Sequence, residues 1–283
     1  MLTSTATLLQ HLNDPTWIIF DCRHDLADTS KGERQYREGH IPGAHFAHLD
    51  LDLSGTKTGK NGRHPLPSAA TFIHFLLRHG VTPASTVVAY DDAGGPYAAR
   101  LWWLARWIGF HRVTLLDGGI TKWLADGYAL SQAVPTPQPS GPIPSSWQAD
   151  PSQVVSAATL LSQLGSGALT LIDARAAERY RGEVEPIDPV AGHIPGALNR
   201  FFKDNLNTDA TLRKPDDIRQ AFLTLLQNQP PQQVVHQCGS GVTACANLFA
   251  MEYAGLTGST LYAGSWSEWV ADPTRPVITR STL

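Results

Sequence analysis

The stretch VVHQCGSGVTACANLFAMEYAGL, from Val234 to Leu256, sets Cys238 between a short apolar, β-branched run and a loop that continues into a helical pattern. A strand, a glycine-bearing turn and a helix in this order form the local unit of an α/β sheet. Backbone N–H groups in such a turn, together with the helix N-terminus, stabilise negative charge. The stretch therefore predicts an activated thiol nucleophile at Cys238, because the thiolate is the reactive form of cysteine.

A buried structural cysteine in a strand-to-helix turn is the alternative, since free cysteine is among the most buried residue types. The small residues that follow Cys238 favour the reactive thiol. We expect the loop to hold the substrate through Gly239, Gly241, Val242 and Thr243, with the two glycines allowing the backbone angles that the turn requires. Thr243 is also expected to cap the following helix through its hydroxyl.

Composition excludes several classes of partner. The chain has 283 residues, of which 42% are hydrophobic and 17% charged, and its net charge is −3. These values predict a globular protein with room for two domains and without a nucleic-acid or membrane partner, and we expect a cytoplasmic monomer. The three cysteines, Cys22, Cys238 and Cys245, lack the spacing of a disulfide framework or zinc site. No cofactor or metal is indicated.

The chain contains two copies of one pattern, in the same order. The recurring segments are STATLLQHL (4–12) and SAATLLSQL (156–164), WIIFDCR (17–23) and LTLIDAR (169–175), EGHIPGA (38–44) and AGHIPGA (191–197), and VVAYDDAGG (87–95) and VVHQCGSGV (234–242). This repeat predicts a first domain over residues 1–130, a Pro/Ser-rich linker over 131–150 and a second domain over 151–283. Asp91 stands where Cys238 stands in the second copy, so the second domain is expected to be the catalytic one.

Each copy alternates strand and helix patterns. In the second copy, LTLID and QVVHQ are typical of strands, whereas AATLLSQL and ACANLFAMEYAG are typical of helices. The alternation predicts an α/β fold of two tandem domains, each a mainly parallel sheet flanked by helices. Ligands bind such sheets beyond the carboxyl ends of the strands, where Cys238 falls. We expect the first domain to form one wall of the cleft that holds Cys238. The alternative is that the two domains are independent modules.

The HIPGA segments, the DCR and DAR turns and the CGSGVTA loop (Cys238 to Ala244) together resemble the two-domain rhodanese family of sulfurtransferases over nearly the whole chain. The loop is similar to that of 3-mercaptopyruvate sulfurtransferases and lacks the basic residues usual in thiosulfate-preferring rhodaneses. The resemblance implies two rhodanese-like domains. It also implies that Cys238 takes sulfur from thiosulfate or 3-mercaptopyruvate as a persulfide and passes it to a thiol, cyanide or thioredoxin-type acceptor.

The same resemblance implies further site residues. Ser240 matches a serine thought to act with an Asp and a His, which would be Asp50 and His64 here, and Arg179 matches the arginine that binds the anionic donor. Mercaptopyruvate enzymes commonly carry a second arginine where this chain has Asp188. A carboxylate at that position would repel an α-keto acid unless it points away, although Arg181 could supply the missing charge. The donor is therefore left open.

Two other functions share parts of this pattern. Cysteine-dependent phosphatases and arsenate reductases enclose an oxyanion with an arginine at the sixth position after the cysteine, where this chain has Ala244. A non-catalytic persulfide carrier or regulatory module is the second alternative. Finding Cys238, Ser240 and Arg179 together favours an enzyme over a carrier.

Overall fold

The chain folds into two compact units, each with its own core. Each unit includes one short segment from the other half of the sequence. The computed structural model describes residues 1–136, 138–139, 141–227 and 229–279. Unit 1 comprises Met1–Gly55, Pro67–Asp150 and Leu206–Leu212, and unit 2 comprises Thr56–Leu66, Pro151–Asn205 and Arg213–Leu283. The segment Thr56–Leu66, which contains the predicted site residue His64, therefore lies in the same unit as Cys238.

Unit 1 contains a five-stranded sheet in the order β1-β5-β4-β2-β3, and every neighbouring pair is parallel. Its strands are β1 (Leu2–Thr3), β2 (Trp17–Asp21), β3 (Ala44–Phe46), β4 (Thr86–Tyr90) and β5 (Val113–Leu116). Its helices are α1 (Thr5–Gln10), α2 (Lys31–Glu38), α3 (Ala69–Arg78), α4 (Pro96–Trp107) and α5 (Gly119–Ala125). The strands are parallel because the helices between consecutive strands return the chain to the end of the sheet from which it started.

Unit 2 contains a four-stranded parallel sheet in the order β7-β6-β8-β9. Its strands are β6 (Thr170–Asp173), β7 (Leu198–Asn199), β8 (Val234–Gln237) and β9 (Thr260–Leu261), and its helices are α6 (Ala157–Gln163), α7 (Ala177–Tyr180), α8 (Pro215–Leu226), α9 (Thr243–Tyr253) and α10 (Ser265–Trp269). Short 3₁₀ turns span Pro151–Gln153, Phe202–Asn205 and Pro231–Gln233. The predicted α/β class, with parallel sheets flanked by helices, is confirmed.

The repeated sequence produces the same local structure twice. Ser4 and Ser156 each cap a helix by accepting the N–H of the residue three positions on, at 3.0 and 3.1 Å. In the two HIPGA segments, the Nδ1 atoms of His40 and His193 are bonded to the carbonyls of Tyr36 and Tyr180, and each ring stacks on the tyrosine. Each unit also buries its own apolar cluster around a tryptophan.

The segment between the two repeats packs on unit 1 where it is described. Trp147 is 4% exposed and meets the edge of Phe110, and the Asp150 N–H donates to the Trp107 carbonyl at 2.8 Å. Residues 137 and 140 of the predicted linker lie outside the described residues. Among the helices that the structure describes, none is both long and apolar enough to cross a membrane.

The buried ring of His236 on β8 predicts an acid-dependent loss of stability. Burial lowers the pKa of His236 to about 3. As the pH falls, the unfolded chain therefore binds this proton before the folded chain does. The contribution of the neutral ring to the free energy of unfolding is complete above the ordinary histidine pKa of 6.5 and is lost as the pH drops from 6.5 to about 3. When the pH is lowered from 7.5 to 5, we expect the free energy of unfolding to fall by about 2 kcal/mol less in His236→Leu than in the unmodified protein.

Urea unfolding at the two pH values measures this difference. The exposed residue His111 provides the control, because His111→Gln should keep the pH dependence of the unmodified protein. An identical pH dependence in His236→Leu and the unmodified protein would contradict the prediction.

Candidate active site

Cys238 directly follows β8, at the carboxyl edge of the unit 2 sheet. Gln237, the last residue of β8, pairs with Asp173, the last residue of β6, so the loops after both strands begin at the same edge. Cys238 is 2% exposed. The Gly241 N–H donates to its Sγ at 3.2 Å, and the Cys238 N–H donates to Ser265 Oγ at 3.1 Å. The sulfur is therefore held in a tight turn that offers it a backbone donor.

The turn after Cys238 requires glycine at position 241. Gly241 has φ +77°, and a Cβ at this position would lie 2.2 Å from the Ala263 carbonyl oxygen. Val242 is buried, and α9 begins at Thr243 with Val242 as its N-cap and without a side-chain cap. The expectation that the Thr243 hydroxyl caps α9 is therefore wrong, because Thr243 is already the first helical residue.

The first copy has a carboxyl group at the corresponding strand end. Asp91 follows β4 directly, as Cys238 follows β8. Its carboxylate accepts the N–H groups of Ala93, Gly95, Tyr97 and Ala98 at 2.8–3.0 Å. Burial raises the pKa of Asp91, whereas the backbone donors oppose the rise because they favour the charged carboxylate. The turn that is repeated in this chain is therefore suited to stabilising negative charge.

Ser240 and His64 lie together beside the loop. Ser240 Oγ and His64 Nδ1 are joined by a hydrogen bond of 2.8 Å, although the two residues are 176 positions apart. Both are buried, at 5% and 4% exposure. The segment that carries His64 is fixed to unit 2, since the Arg63 N–H donates to Ser267 Oγ at 3.0 Å. A histidine paired with a hydroxyl in this way can move a proton near the thiol.

Asp50 lies in unit 1, where it is half-buried and its N–H donates to His48 Nδ1 at 3.1 Å. Its predicted partnership with His64 stays a prediction. His24, His48 and Asp50 each offer a ligand atom within 4.8 Å of the others, which is a spacing that a metal ion could use. However, Nδ1 of His48 accepts the Asp50 N–H, so the neutral ring carries its proton on Nε2 and has no second lone pair for a metal.

Arg179 lies beside the loop in a group of buried carboxylates. Its Nη2 donates to Glu185 Oε1 at 2.6 Å and lies 3.5 Å from Asp188 Oδ2. A Cβ on Gly239 would lie 3.7 Å from both Nη atoms of Arg179, so the guanidinium lies near the residue next to the nucleophile. Burial by itself raises the pKa of Glu185, but the hydrogen bonds from Arg179 and the Asp188 N–H outweigh it and hold that pKa below its ordinary value.

Asp188, which was expected to repel an α-keto acid unless its carboxylate points away, is bound by a guanidinium. Arg63 Nη1 donates to Asp188 Oδ1, and the Asp188 side chain is 3% exposed. Burial raises the pKa of Asp188, while the positive charge of Arg63 opposes the rise. Arg181, considered as a replacement charge, is instead 50% exposed and bonded to Glu183. The sequence reasoning missed Arg63 and Glu185, although Arg63 immediately precedes His64 in RHPLP.

Comparison with known proteins decides the family. Residues 4–126 and 156–272 each match the rhodanese-like domain. The chain belongs to the rhodanese family. The probable 3-mercaptopyruvate sulfurtransferase of Pseudomonas aeruginosa is 49% identical over 280 residues, which cover 98% of each chain. The thiosulfate sulfurtransferase of Mus musculus is 32% identical over 279 residues, covering 95% of this chain and 91% of that one.

A solved structure, the 3-mercaptopyruvate sulfurtransferase from Leishmania major, superposes with a TM-score of 0.83 at 31% identity, covering 95% of this chain and 74% of that one. These relatives are sulfurtransferases that carry the same fold. The prediction that this rhodanese-family chain is an enzyme of the sulfurtransferase class is confirmed.

Replacing Gly241 tests whether the turn depends on close backbone approach. Gly241→Ala should lower the melting temperature of the protein by more than Gly196→Ala, which has the same φ of +77° but open space around its Cβ position. The control should lose about 1–2 kcal/mol through the left-handed backbone alone. Differential scanning calorimetry measures both effects, and equal losses would show that the Ala263 carbonyl does not constrain the turn.

Proposed function

We propose that this sulfurtransferase takes sulfur from 3-mercaptopyruvate onto Cys238 as a persulfide and delivers it to a thiol or cyanide acceptor. The hydrogen bond between His64 and Ser240, two residues from the nucleophile, is the observation that carries the choice of donor. Breaking a carbon–sulfur bond leaves a carbanion equivalent that must be protonated, and this pair can supply the proton. Thiosulfate releases sulfite without protonation at carbon, so it is the secondary donor.

The first half-reaction is a displacement at sulfur. The Cys238 thiolate attacks the mercapto sulfur of the donor, a new S–S bond forms, and the C–S bond breaks with its electron pair going to the pyruvate enolate. The proton of the mercapto group is passed to the enolate carbon by way of Ser240 and His64. The products are pyruvate and an anionic persulfide on Cys238. With thiosulfate, the S–S bond of the donor breaks instead and sulfite leaves with the electron pair.

The second half-reaction returns the enzyme to its starting state. A thiolate or cyanide attacks the outer sulfur, and the Cys238 thiolate leaves with the electron pair, which gives ping-pong kinetics. The Gly241 N–H, at 3.2 Å from Sγ, can stabilise the negative charge of both the thiolate and the persulfide. The carboxylate of Asp91, held by four N–H groups in the first copy, supports this use of the turn.

The division of labour between the copies belongs to the same proposal. The second copy, residues 151–283, supplies the nucleophile, whereas the first, residues 1–130, carries Asp91 in its place and contributes His64. The resemblance adds Asp50 as a further catalytic residue. A thioredoxin-type protein is a chemically competent acceptor, because its thiolate can attack the outer sulfur. We assign the enzyme to the cytoplasm, where thiol acceptors are kept reduced, and assign it a monomeric state.

Intact mass after incubation with donor tests the persulfide. 3-Mercaptopyruvate should add the mass of one sulfur atom to the unmodified protein and to Cys22→Ala, but none to Cys238→Ala, because only the latter lacks the nucleophile. Mass spectrometry after removal of the donor reports the adduct. An adduct that persists in Cys238→Ala would contradict the assignment, and an adduct without release of sulfur to cyanide or a thiol would identify a carrier instead of an enzyme.

Removing the hydroxyl of Ser240 tests the role of the proton. Ser240→Ala should lower kcat/KM for 3-mercaptopyruvate about 100-fold, within the range of general acid–base contributions. The thiosulfate reaction of the same variant should change no more than about threefold, because sulfite needs no proton at carbon. His64→Gln should show the same selectivity and Asp50→Asn a weaker form of it. Steady-state kinetics with both donors measure these changes. Equal losses of kcat/KM for the two donors would indicate that Ser240 has a structural role only.

A further inference from the structure

Two guanidinium groups lie next to the residue that follows the nucleophile. A Cβ on Gly239 would lie 2.9 Å from Arg63 Nη2 and 3.7 Å from both Nη atoms of Arg179. The resemblance predicted the position of Arg179, but Arg63 was not predicted. Two permanently charged guanidinium groups therefore lie beside Gly239, the residue after Cys238, and guanidinium groups are well suited to binding a carboxylate.

One short acidic turn holds both arginines. Glu185 Oε1 accepts from Arg179 at 2.6 Å and from the Asp188 N–H at 3.1 Å, so the carboxylate that binds Arg179 also fixes the backbone of Asp188. Asp188 in turn binds Arg63 through Oδ1. Arg63 is anchored a second time through its own N–H on Ser267 Oγ. These contacts hold Arg63 by both its backbone and its side chain.

The two arginines and two carboxylates of this group have no net charge, but the arginines are more exposed than the carboxylates. Glu185 and Asp188 keep 3% of their side chains exposed, whereas Arg63 keeps 26% and Arg179 keeps 18%. Two positive and two negative charges sum to zero, yet the part that an incoming ligand can reach is mainly cationic. Because the guanidinium groups are more exposed than the carboxylates, the site can attract an anion in spite of its neutral sum.

We propose that Arg63 is a specificity-determining residue, which binds the carboxylate of the donor together with Arg179, and that Asp188 is the residue that positions Arg63. Asp188 therefore does not repel an α-keto acid. It places a second guanidinium at the site from a segment remote in sequence. The choice of donor rests on the proposed function, but recognition of a small carboxylate beside Cys238 can be measured without sulfur transfer.

Alkylation of Cys238 separates anion recognition from thiol reactivity. Iodoacetate carries a carboxylate and iodoacetamide does not, while both react with the same thiolate. Mass spectrometry of the modified peptide gives the rate constant of each reagent at Cys238. The rate constant for iodoacetate divided by that for iodoacetamide should fall about tenfold in Arg63→Gln, the size expected for one charge-assisted hydrogen bond. The exposed Arg181→Gln provides the control and should change the ratio less than twofold. An unchanged iodoacetamide rate verifies that the loop of Arg63→Gln is intact, and Arg63→Lys provides a second variant if it is not.

Steady-state kinetics test the positioning role of Asp188. Arg63→Gln should raise the KM for 3-mercaptopyruvate about 10- to 100-fold with kcat within about threefold, and Arg63→Lys should fall between it and the unmodified enzyme, since lysine lacks the planar fork. Asp188→Asn alone should raise KM severalfold by releasing Arg63. In the Arg63→Gln background the same change should lower KM, because it removes a negative charge that Arg63 no longer neutralises, and Asp188→Arg should lower it further.

The two proposals fail in different ways. An alkylation ratio and a KM that do not change in Arg63→Gln would overturn the role of Arg63, even if the persulfide forms on Cys238. Losses that simply add in the Arg63→Gln/Asp188→Asn double variant would overturn the positioning role of Asp188. Absence of a persulfide in the unmodified protein would overturn the proposed function, while the alkylation ratio would still test the anion site.

Discussion

The guanidinium of Arg175 joins the parts from which the candidate site is built. It donates to Asp173 at the end of β6, to the Gly192 carbonyl at 2.7 Å and to Glu185 at 3.3 Å, and it lies 4.9 Å from the Trp266 ring centroid. The backbone N–H of Trp266 donates to the Cys238 carbonyl, and Glu185 accepts a hydrogen bond from Arg179. Losing one partner of such a buried ion pair typically costs about 3–5 kcal/mol, so the sheet edge, the acidic turn and the nucleophile loop depend on one side chain.

The two copies use the same strand-to-helix turn with different anions. In unit 1, four N–H groups hold the fixed carboxylate of Asp91, and Arg23 repeats the contacts of Arg175 with Asp21 and with a backbone carbonyl. In unit 2, the turn holds Cys238, whose sulfur can gain and lose an atom. A resident carboxylate occupies the donors permanently, whereas a thiol leaves them available to a charge that appears during reaction. This difference explains how one scaffold can be structural in one copy and chemical in the other.

Much of the fold could be predicted because its causes are local. The strands predicted as LTLID and QVVHQ are β6 and β8, and the second-copy helices are α6 and α9, with ends that differ by a few residues. N-cap serines, β-branched runs and glycine turns act within a few positions of the chain. The role expected for the Thr243 hydroxyl failed at this scale, because one residue decides whether a side chain lies at a cap or inside the first turn.

The sequence by itself determined the duplication, the parallel α/β class and the place of Cys238 at a strand end, because these depend on residue type and local spacing. Only the tertiary structure decided which residues share the site. His64 meets Ser240 across 176 positions, and Arg63 meets Asp188 across 125. Whether a carboxylate repels or organises a site depends on the charge within a few ångströms of it, since Coulomb interactions fall with distance. That neighbour is brought in by folding, and no local pattern names it.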